Sequence, residues 1–383
     1  MKCPYHSQCL DYPRCPAELP DNSKFCPVNG KMILLPTICA NPDCGFDIGS
    51  LPPDAKYCPE CGREIVPPKG PDVYVVGYEK NTHGKYVAKL WKDGGAQNLT
   101  DGENDAEAHS VYVSGNDVFV AGWTKMKVGC HCEHVATLWK NGLPQNISYP
   151  GKSTALSVYV SNDNVYVAGQ EYIEEVPYLT LYGVATLWKN GIAQRLTNGK
   201  IDAAAKSIYV SGDDVYVVGY EGNYYSQYVA KLWKNGVVQN LTDGKNHAEA
   251  NSVFVSGDDV YVAGWERYSA EIDVAKLWKN GVAQNLTDGK NRAQANSVFV
   301  SGNDVYVAGY EYSKGATLWK NGVAQNLTAN WRTSSGAFPV YVQGNDVYVA
   351  GYESRAAMLW INGVAQNLTD GKEEAKALSV FVK

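Results

Sequence analysis

The amino-acid sequence predicts an all-β protein in which a small cysteine-rich region precedes a seven-bladed β-propeller of four-stranded antiparallel blades. The dipeptide Leu-Trp recurs seven times between residues 90 and 360, at intervals of 41 to 49 residues. Each copy contains short runs rich in β-branched and aromatic residues, and none shows helical periodicity. A period of about 45 residues with four strands per copy is typical of a propeller blade. A β-solenoid is the alternative architecture, but its coils are usually shorter and lack Asn-Gly hairpins.

Each repeat divides into four predicted strands. Ser-Val-Phe-Val-Ser forms the first strand, and a Gly-Asp-Asp or Gly-Asn-Asp turn leads to the second, Val-Tyr-Val-Ala-Gly-Tyr. A loop of variable sequence precedes the third strand, Val-Ala-Lys-Leu-Trp. Asn-Gly then predicts a tight hairpin, because both residues tolerate the positive φ angles of a type I′ turn. The fourth strand is Ala-Gln-Asn-Leu-Thr.

The ends of the repeat array predict how the propeller closes. The array begins with a second strand at residues 73–76 and ends with a first strand at residues 379–382. We therefore expect the last strand to complete one blade together with the first three. Closure of this kind removes the strand edges that an open array would expose. The predicted divisions are a first ribbon at 1–34, a second at 35–66, a proline-rich linker at 67–71 and the propeller at 72–383.

Charge and composition exclude several classes of partner. The net charge is −6 at pH 7, which predicts no attraction to the phosphates of a nucleic acid. No apolar run is long enough to span a bilayer, and the N-terminal residues lack the apolar stretch of a signal peptide. Paired cysteines without a secretion signal favour metal ligands in a reducing compartment. We therefore expect a cytoplasmic monomer that binds neither nucleic acid nor membrane.

Four cysteines in the N-terminal region have the spacing of a zinc site. Tetrahedral zinc needs four thiolate or imidazole donors, and two tight turns can supply two each. Residues 56–62, Lys-Tyr-Cys-Pro-Glu-Cys-Gly, match in full the characteristic ending of the bacterial zinc-ribbon family, which this segment resembles. A closed site of this kind has no open position for substrate, so we expect a structural ion and an interaction tag or spacer. The predicted ligands are Cys39, Cys44, Cys58 and Cys61.

The segment before these four cysteines contains another copy of the same pattern, which is the first ribbon of the chain. Residues 20–30 match residues 53–62 with one insertion, but Asn29 stands where the ribbon family has its last cysteine. Either Cys3 or His6 would complete the set, and Cys3 makes all four ligands thiolates. A metal-free, degenerate ribbon is the alternative, so we expect one or two zinc ions. The predicted ligands of this ribbon are Cys3, Cys9, Cys15 and Cys26.

Aromatic and acidic residues recur together at the start of the variable loops. Such a ring at one rim could bind a peptide with basic side chains, or a sugar through stacking. The alternative is that the aromatic side chains pack between blades and the glutamates pair with lysines, because residues repeated in every blade usually serve the scaffold. The candidate ligand-binding residues are Trp123, Tyr220, Trp265, Tyr310, Tyr352, Glu221 and Glu266.

Two further stretches break the repeat. On an extended strand Cys130, Cys132 and His134 would share a face and could bind zinc with one position open, although an exposed loop with adventitious metal affinity is the alternative. Trp331 and Arg332 form an aromatic–arginine pair of the kind enriched at binding hot spots.

The repeat resembles those of uncharacterised bacterial propeller proteins over residues 72–383. We expect a non-enzymatic binding protein that docks a protein or peptide at the propeller rim. A carbohydrate-binding propeller is one alternative, and a metal-dependent enzyme centred on Cys130, Cys132 and His134 is another. The sequence contains no Gly-x-Ser-x-Gly elbow and no phosphate-binding loop.

Overall fold

The computed structural model describes residues 70–128, 131–148, 151–173, 182–225, 227–269, 272–328 and 334–383. Both predicted zinc ribbons lie outside these ranges, as do Cys130, Trp331 and Arg332. The described residues from Asp72 onward belong to a compact unit that spans Asp72–Lys383.

Within these ranges the chain forms seven antiparallel four-stranded sheets, so the predicted seven-bladed propeller is confirmed. Blade 1 contains β1 (Val73–Lys80), β2 (Tyr86–Lys92) and β3 (Gly95–Asn98). Blade 2 contains β4 (Ala106–Ser114), β5 (Asp117–Val128), β6 (His131–Lys140) and β7 (Leu143–Asn146). Blade 3 contains β8 (Ser153–Ser161), β9 (Asn164–Ile173), β10 (Tyr182–Lys189) and β11 (Ile192–Arg195). Blade 4 contains β12 (Ala203–Ser211), β13 (Asp214–Gly222), β14 (Tyr228–Lys234) and β15 (Val237–Asn240).

The remaining blades repeat this arrangement. Blade 5 contains β16 (Ala248–Ser256), β17 (Asp259–Ser269), β18 (Ile272–Lys279) and β19 (Val282–Asn285). Blade 6 contains β20 (Ala293–Ser301), β21 (Asp304–Glu311), β22 (Gly315–Lys320) and β23 (Val323–Asn326). Blade 7 contains β24 (Ser335–Gln343), β25 (Asp346–Glu353), β26 (Ala356–Ile361) and β27 (Val364–Asn367), and β28 (Ala375–Val382) follows it. The described ranges contain no helix that is long and apolar enough to cross a membrane.

The last strand of the chain closes the ring. Strand β28 pairs antiparallel with β1 and becomes the innermost strand of blade 1. Backbone hydrogen bonds of 2.8 and 2.9 Å between Asp72 and Lys383 extend this pairing beyond both strands. The innermost strands of the seven blades adjoin one another around a central axis, whereas the outermost strands are exposed.

The hydrophobic core lies between neighbouring blades. Each of seven clusters contains one tryptophan from a third strand, and these indoles are at most 1% exposed. In the cluster between blades 1 and 2, Trp139 packs with Val76 and Leu90 of blade 1 and with Val111 of blade 2. By buried area, one indole contributes about 4–6 kcal/mol as an upper bound. The repeated Leu-Trp dipeptide is therefore part of the scaffold.

A β-bulge interrupts every innermost strand at the same place. In blade 5 the register passes from Ala250 opposite Gly264 to Ser252 opposite Ala263, so Asn251 is the extra residue. A Cβ atom on Gly264 would lie 2.0 Å from the backbone oxygen of Glu249, which explains the glycine. Bulges redirect side chains and are frequent beside functional sites. Here the bulge directs Asn251 toward the central axis, where it lines a cavity.

Candidate functional site

Seven aromatic side chains form a continuous collar around the central axis. Each innermost strand contributes one ring, and neighbouring ring centroids are 4.6–5.1 Å apart with interplanar angles of 47–55°. Tilted contacts of this kind contribute about 0.5–1.5 kcal/mol each beyond the buried area. The members of the collar are Tyr112, Tyr159, Tyr209, Phe254, Phe299, Tyr341 and Phe381.

An axial cavity of about 530 Å³ lies on the side of the collar where the innermost strands begin. The variable loops between second and third strands lie on the same side, because strands two and four run opposite to strands one and three. The walls carry the bulge residues and a ring of serines. Each serine Oγ accepts a hydrogen bond of 3.1–3.3 Å from a backbone N–H of the next innermost strand. These serines are Ser110, Ser157, Ser207, Ser252, Ser297 and Ser379, with Pro339 at the seventh position.

The cavity lining differs from blade to blade although the surrounding scaffold repeats. Along each innermost strand, buried alanines such as Ala108 and Ala250 recur in every blade. The position just before that alanine and the bulge position just after it vary among the copies, with six and five residue types respectively. The first is Glu107, Thr154, Ala204, Glu249, Gln294, Gly336 or Lys376, and the second is His109, Leu156, Lys206, Asn251, Asn296, Phe338 or Leu378. Along the innermost strands much of this variation falls on residues that line the axial cavity, whereas the neighbouring alanines and serines repeat.

The charged groups of the axial cavity are mostly paired. Nε2 of His109 lies 3.1 Å from a carboxylate oxygen of Glu107. Lys206 donates to the carboxylate of Glu249 and, at 3.0 Å, to the side chain of Asn251. Lys376 differs, because no carboxylate of the described residues lies within ion-pair distance of its amino group, which sits 4.7 Å from the ring centre of Tyr352.

A side pocket of about 400 Å³ opens beside the axial cavity and shares three lining residues with it, namely Lys206, Asn251 and Asn296. Blades 4, 5 and 6 form its walls. Arg267, Arg292 and His247 supply its other basic groups, and Trp265 and Tyr228 supply apolar surface. The side pocket and the axial cavity therefore form one continuous concave surface.

A third cavity, of about 580 Å³, lies at the opposite end of the propeller between blades 2 and 3. It is lined by residues at the repeated turn and core positions of the blades, including the turn residues Gly115 and Asn190 and the core residues Val167 and Trp188. Because these residues serve the turns and the core in every copy, we assign no function to this cavity.

The structure places the predicted rim aromatics at the ends of the second strands, where each is covered by a neighbour. Trp123 stacks on His134 with ring centroids 3.9 Å apart. Tyr220 stacks on Tyr228 at 4.4 Å and donates to Asp202, and burial followed by the Asp202 charge raises the pKa of the Tyr220 phenol. The other members have comparable surroundings: Trp265 lies under Arg267, burial raises the pKa of Tyr310, and Tyr352 contacts Phe338 and Lys376. Their role in ligand binding stays a prediction.

The predicted rim glutamates are in ion pairs. Glu221 lies 3.0 Å from Lys231, and Glu266 lies 2.7 Å from Lys276. Each pair joins the second and third strands of one blade. Trp265 is the predicted aromatic that lines the side pocket.

Of the predicted ligands Cys130, Cys132 and His134, only the His134 side chain belongs to the described part of the chain. Its imidazole is exposed on one side and stacked on Trp123 on the other. In the described residues no three His, Cys, Asp or Glu side chains come together in a group that could hold a metal ion. The zinc predictions for the N-terminal cysteines concern residues outside this part and stay predictions.

The residues that line the axial cavity were not predicted from the sequence. Their signal was present, because the alternating positions between the repeated alanines can be compared among the seven copies of one chain. The start of the variable loops was predicted as the binding site instead, since these loops differ in length as well as in sequence. Arg267, Arg292 and Asp273 were also missed, because they come from two blades that only the wedge between the blades brings together.

Comparisons with known proteins support the fold. No known protein family and no curated protein matches the sequence. Among solved structures, the chain is similar to a puromycin-hydrolysing peptidase from Mycobacterium tuberculosis, at 11% identity and a TM-score of 0.51, covering 79% of this chain and 53% of that one. It is also similar to an acylaminoacyl peptidase from Pyrococcus horikoshii, at 15% identity and a TM-score of 0.49, covering 79% and 51%. The β-propeller domain of the Trilobed protease from Pyrococcus furiosus matches at 14% identity and a TM-score of 0.45, covering 79% and 96%.

These comparisons correct one prediction. The sequence led us to expect a non-enzymatic binding protein, but a solved structure that resembles this propeller with a TM-score above 0.5 is part of a peptidase, so that prediction is wrong. The chain spans about half the length of each of these peptidases. At these identities the likeness concerns the fold. The physical reason for the error is that repeated blade residues build the same scaffold whether a propeller serves an enzyme or a binding protein.

Proposed function

We propose that this protein is related to peptidases and that its propeller receives peptide substrates in the axial cavity. The observation that carries the proposal is a cavity of about 530 Å³ whose lining varies among the blades at the bulge positions, while the serines beside them and the scaffold around them repeat. Pockets of about 300–1,000 Å³ are typical of ligand sites in proteins. The likeness to the propellers of peptidases suggests the substrate class.

The hydrogen-bonding capacity of the cavity suits a peptide. Each serine of the ring uses its oxygen to accept a backbone N–H, so its hydroxyl hydrogen remains available as a donor. Within the described ranges none of these six hydroxyls donates to a protein acceptor. Donors spaced around one wall can meet successive carbonyl oxygens of a bound chain. Leu156, Phe338 and Leu378 on the same wall offer apolar surface for its side chains.

The collar below and the open face above define the path of the peptide. A chain can enter from the face that carries the variable loops, and the aromatic collar then limits how far it advances. The part of the propeller in the reaction is to select and hold the peptide so that its bond is presented for hydrolysis. No propeller residue is assigned to bond cleavage.

The proposal is tested by filling the cavity. Leu156→Trp adds bulk at a bulge position without removing a polar contact, and we expect it to weaken peptide binding at least about tenfold, which is about 1.4 kcal/mol. The probe is a pool of fluorescein-labelled decapeptides of randomised sequence, with binding followed by fluorescence anisotropy of the full chain. Leu143→Trp is the matched control, because Leu143 lies on the outer strand β7 and is 74% exposed.

Two results would contradict the proposal. Equal peptide affinity in Leu156→Trp and Leu143→Trp would place the binding site outside the axial cavity. If the intact protein bound no peptide, peptides would be excluded as its substrate class. Mass spectrometry of the same mixtures detects cleavage products and identifies the peptides that are preferred.

A further inference from the structure

The side pocket contains a buried carboxylate that holds two arginines. Asp273 is 1% exposed and accepts hydrogen bonds from Nε of Arg267 at 3.0 Å and from Nε of Arg292 at 2.8 Å. Gln294 donates a third, at 3.0 Å. Buried charges are retained in proteins when they are paired and hydrogen-bonded, and Asp273 meets both conditions. The two guanidinium groups are therefore fixed in place before any ligand arrives.

This arrangement occurs once in the repeat. The position of Asp273, at the start of the third strand, is Tyr86, His134, Gly183 or Tyr228 in blades 1 to 4. The position of Arg292, just before an innermost strand, is occupied by other residue types in the other blades. Blades 5 and 6 have thus acquired the carboxylate and its arginine partners together, which a scaffold role shared by all blades does not require.

The two arginines keep donors free for a ligand. Their side chains are 33% and 52% exposed, and each gives its Nε–H to Asp273. Across the residues that the structure describes, their terminal nitrogens have no protein acceptor, so both retain the paired N–H groups that match a planar carboxylate. The ring of Trp265, 5.5 Å from the guanidinium carbon of Arg267, supports that group from one side.

The charge of the side pocket suits one negative charge. Two guanidinium groups against the single carboxylate of Asp273 leave one positive charge, and Lys206 is neutralised by Glu249. Nδ1 of His247 accepts the backbone N–H of Tyr228 at 3.1 Å, so the neutral ring carries its hydrogen on Nε2. Burial, and then the charge of Arg267, lower the pKa of His247 and favour this neutral form.

We infer that the side pocket binds a carboxylate of the peptide held in the axial cavity, through Arg267 and Arg292. The inference rests on the proposed function and names the chemistry that its substrate carries. The carboxylate can be the C-terminus of the peptide or an aspartate or glutamate side chain, since both offer the same planar pair of oxygens. A single positive charge and two planar donors match a carboxylate monoanion.

The test compares four versions of one labelled peptide, which end in a free acid or an amide and carry Glu or Gln at one internal position. We expect the versions with a carboxylate to bind about tenfold more tightly than the uncharged version, since charge-assisted bonds of guanidinium groups are among the strong ones. The peptide with a free C-terminal acid and an internal Gln carries only the terminal carboxylate. The amidated peptide with an internal Glu carries only the side-chain carboxylate, so these two versions distinguish the two sources. Arg292→Gln should bring the ratio of the two affinities, that of a carboxylate-bearing peptide over that of the uncharged peptide, close to one.

The controls separate this inference from folding and from net charge. Arg195→Gln removes the same charge from the exposed outer strand β11 and should keep the ratio. Arg292→Lys keeps the positive charge but loses the paired, planar N–H donors of the guanidinium group. We therefore expect a ratio of affinities between those of the intact protein and Arg292→Gln. A cooperative thermal unfolding transition above the assay temperature shows that each variant is folded.

Three outcomes would overturn the inference. The first is that the intact protein binds the carboxylate-bearing and the uncharged peptides with equal affinity. The second is that Arg292→Gln still prefers the carboxylate-bearing peptides as strongly as the intact protein does. The third is a ratio that is lost in Lys376→Gln instead, which would assign the carboxylate to that lysine of the axial cavity. In each case peptide binding itself persists, so the proposed function stands. If no peptide binds at all, the proposed function fails and this inference fails with it.

Discussion

The bulge glycines provide a quantitative test of how the scaffold shapes the cavity. In all seven blades a Cβ atom on the second-strand glycine would lie 1.9–2.1 Å from a backbone oxygen of the innermost strand. Gly264→Ala is the informative substitution, because Gly264 faces the bulge that presents Asn251 to both the axial cavity and the side pocket. Real Cβ atoms do not approach oxygen closer than 3.0 Å, so strands β16 and β17 must separate by about 1 Å.

The cost follows from this overlap. The contacting atom is backbone and cannot move aside as a flexible side chain would. Overpacking of this kind costs about 1–3 kcal/mol and occasionally more, and each ladder hydrogen bond that is stretched adds about 1 kcal/mol. We expect Gly264→Ala to lower the free energy of unfolding by about 3–5 kcal/mol. At about 2–3 °C per kcal/mol for a large domain, Tm falls by about 6–15 °C.

The assay is thermal unfolding followed by tryptophan fluorescence. Gly70→Ala is the matched control, since a Cβ atom there meets nothing within 4 Å, and its effect should stay within about 0.5 kcal/mol. The displaced bulge should also weaken peptide binding in Gly264→Ala below the unfolding transition. Equal Tm values for Gly264→Ala and the intact protein would refute the reasoning, because the bulge would then tolerate a side chain.

Three further predictions concern closure, pH and zinc. Deleting residues 377–383 removes most of β28, including buried Val380 and Val382, and exposes the edge of β1, so the whole propeller should unfold at a lower temperature; an unchanged Tm would contradict closure by this strand. Burial lowers the pKa of His247 below its usual value near 6.5. The stability that the neutral ring contributes is therefore complete above pH 6.5 and is lost as the pH falls from 6.5 through the lowered pKa of the folded state. His247→Asn keeps an acceptor for the backbone N–H of Tyr228 but does not titrate. The decrease in Tm between pH 7.5 and 5 should therefore be smaller in this variant than in the intact protein. An equal decrease would exclude His247 as a cause of the pH dependence. Elemental analysis should find one or two zinc ions per chain, with one fewer in Cys58→Ser; a chain without zinc would contradict the ribbon prediction.

Much of the fold could be predicted from the sequence, because each strand carries a local signal. Period-2 and β-branched runs identify the strands, and Asn-Gly pairs fix the hairpins, as at Asn280, whose φ is 51°. The seven Leu-Trp dipeptides give the number of blades, since each indole fills one wedge between sheets. These features depend only on neighbours within one blade or the next one along the chain.

The candidate site was less accessible to sequence reasoning. The bulge residues can be recognised once the seven copies are compared, because Lys206, Asn251 and Phe338 replace one another at one position. The side pocket has no such signal. Arg267 lies on β17, whereas Arg292 lies in the connection to β20, and their convergence on Asp273 depends on how blades 5 and 6 pack. Long-range packing of this kind has no local pattern in the chain.

Photo-crosslinking tests most directly whether peptides bind in the axial cavity. A decapeptide with a benzophenone side chain is irradiated with the full chain, and the modified residues are mapped by mass spectrometry. We expect crosslinks at the beginning of the innermost strands, on residues such as Leu156, Ser207 and Leu378, and their loss in Leu156→Trp. Crosslinks confined to the opposite face, around Gly115 and Asn190, or to the outer strands would contradict the assignment.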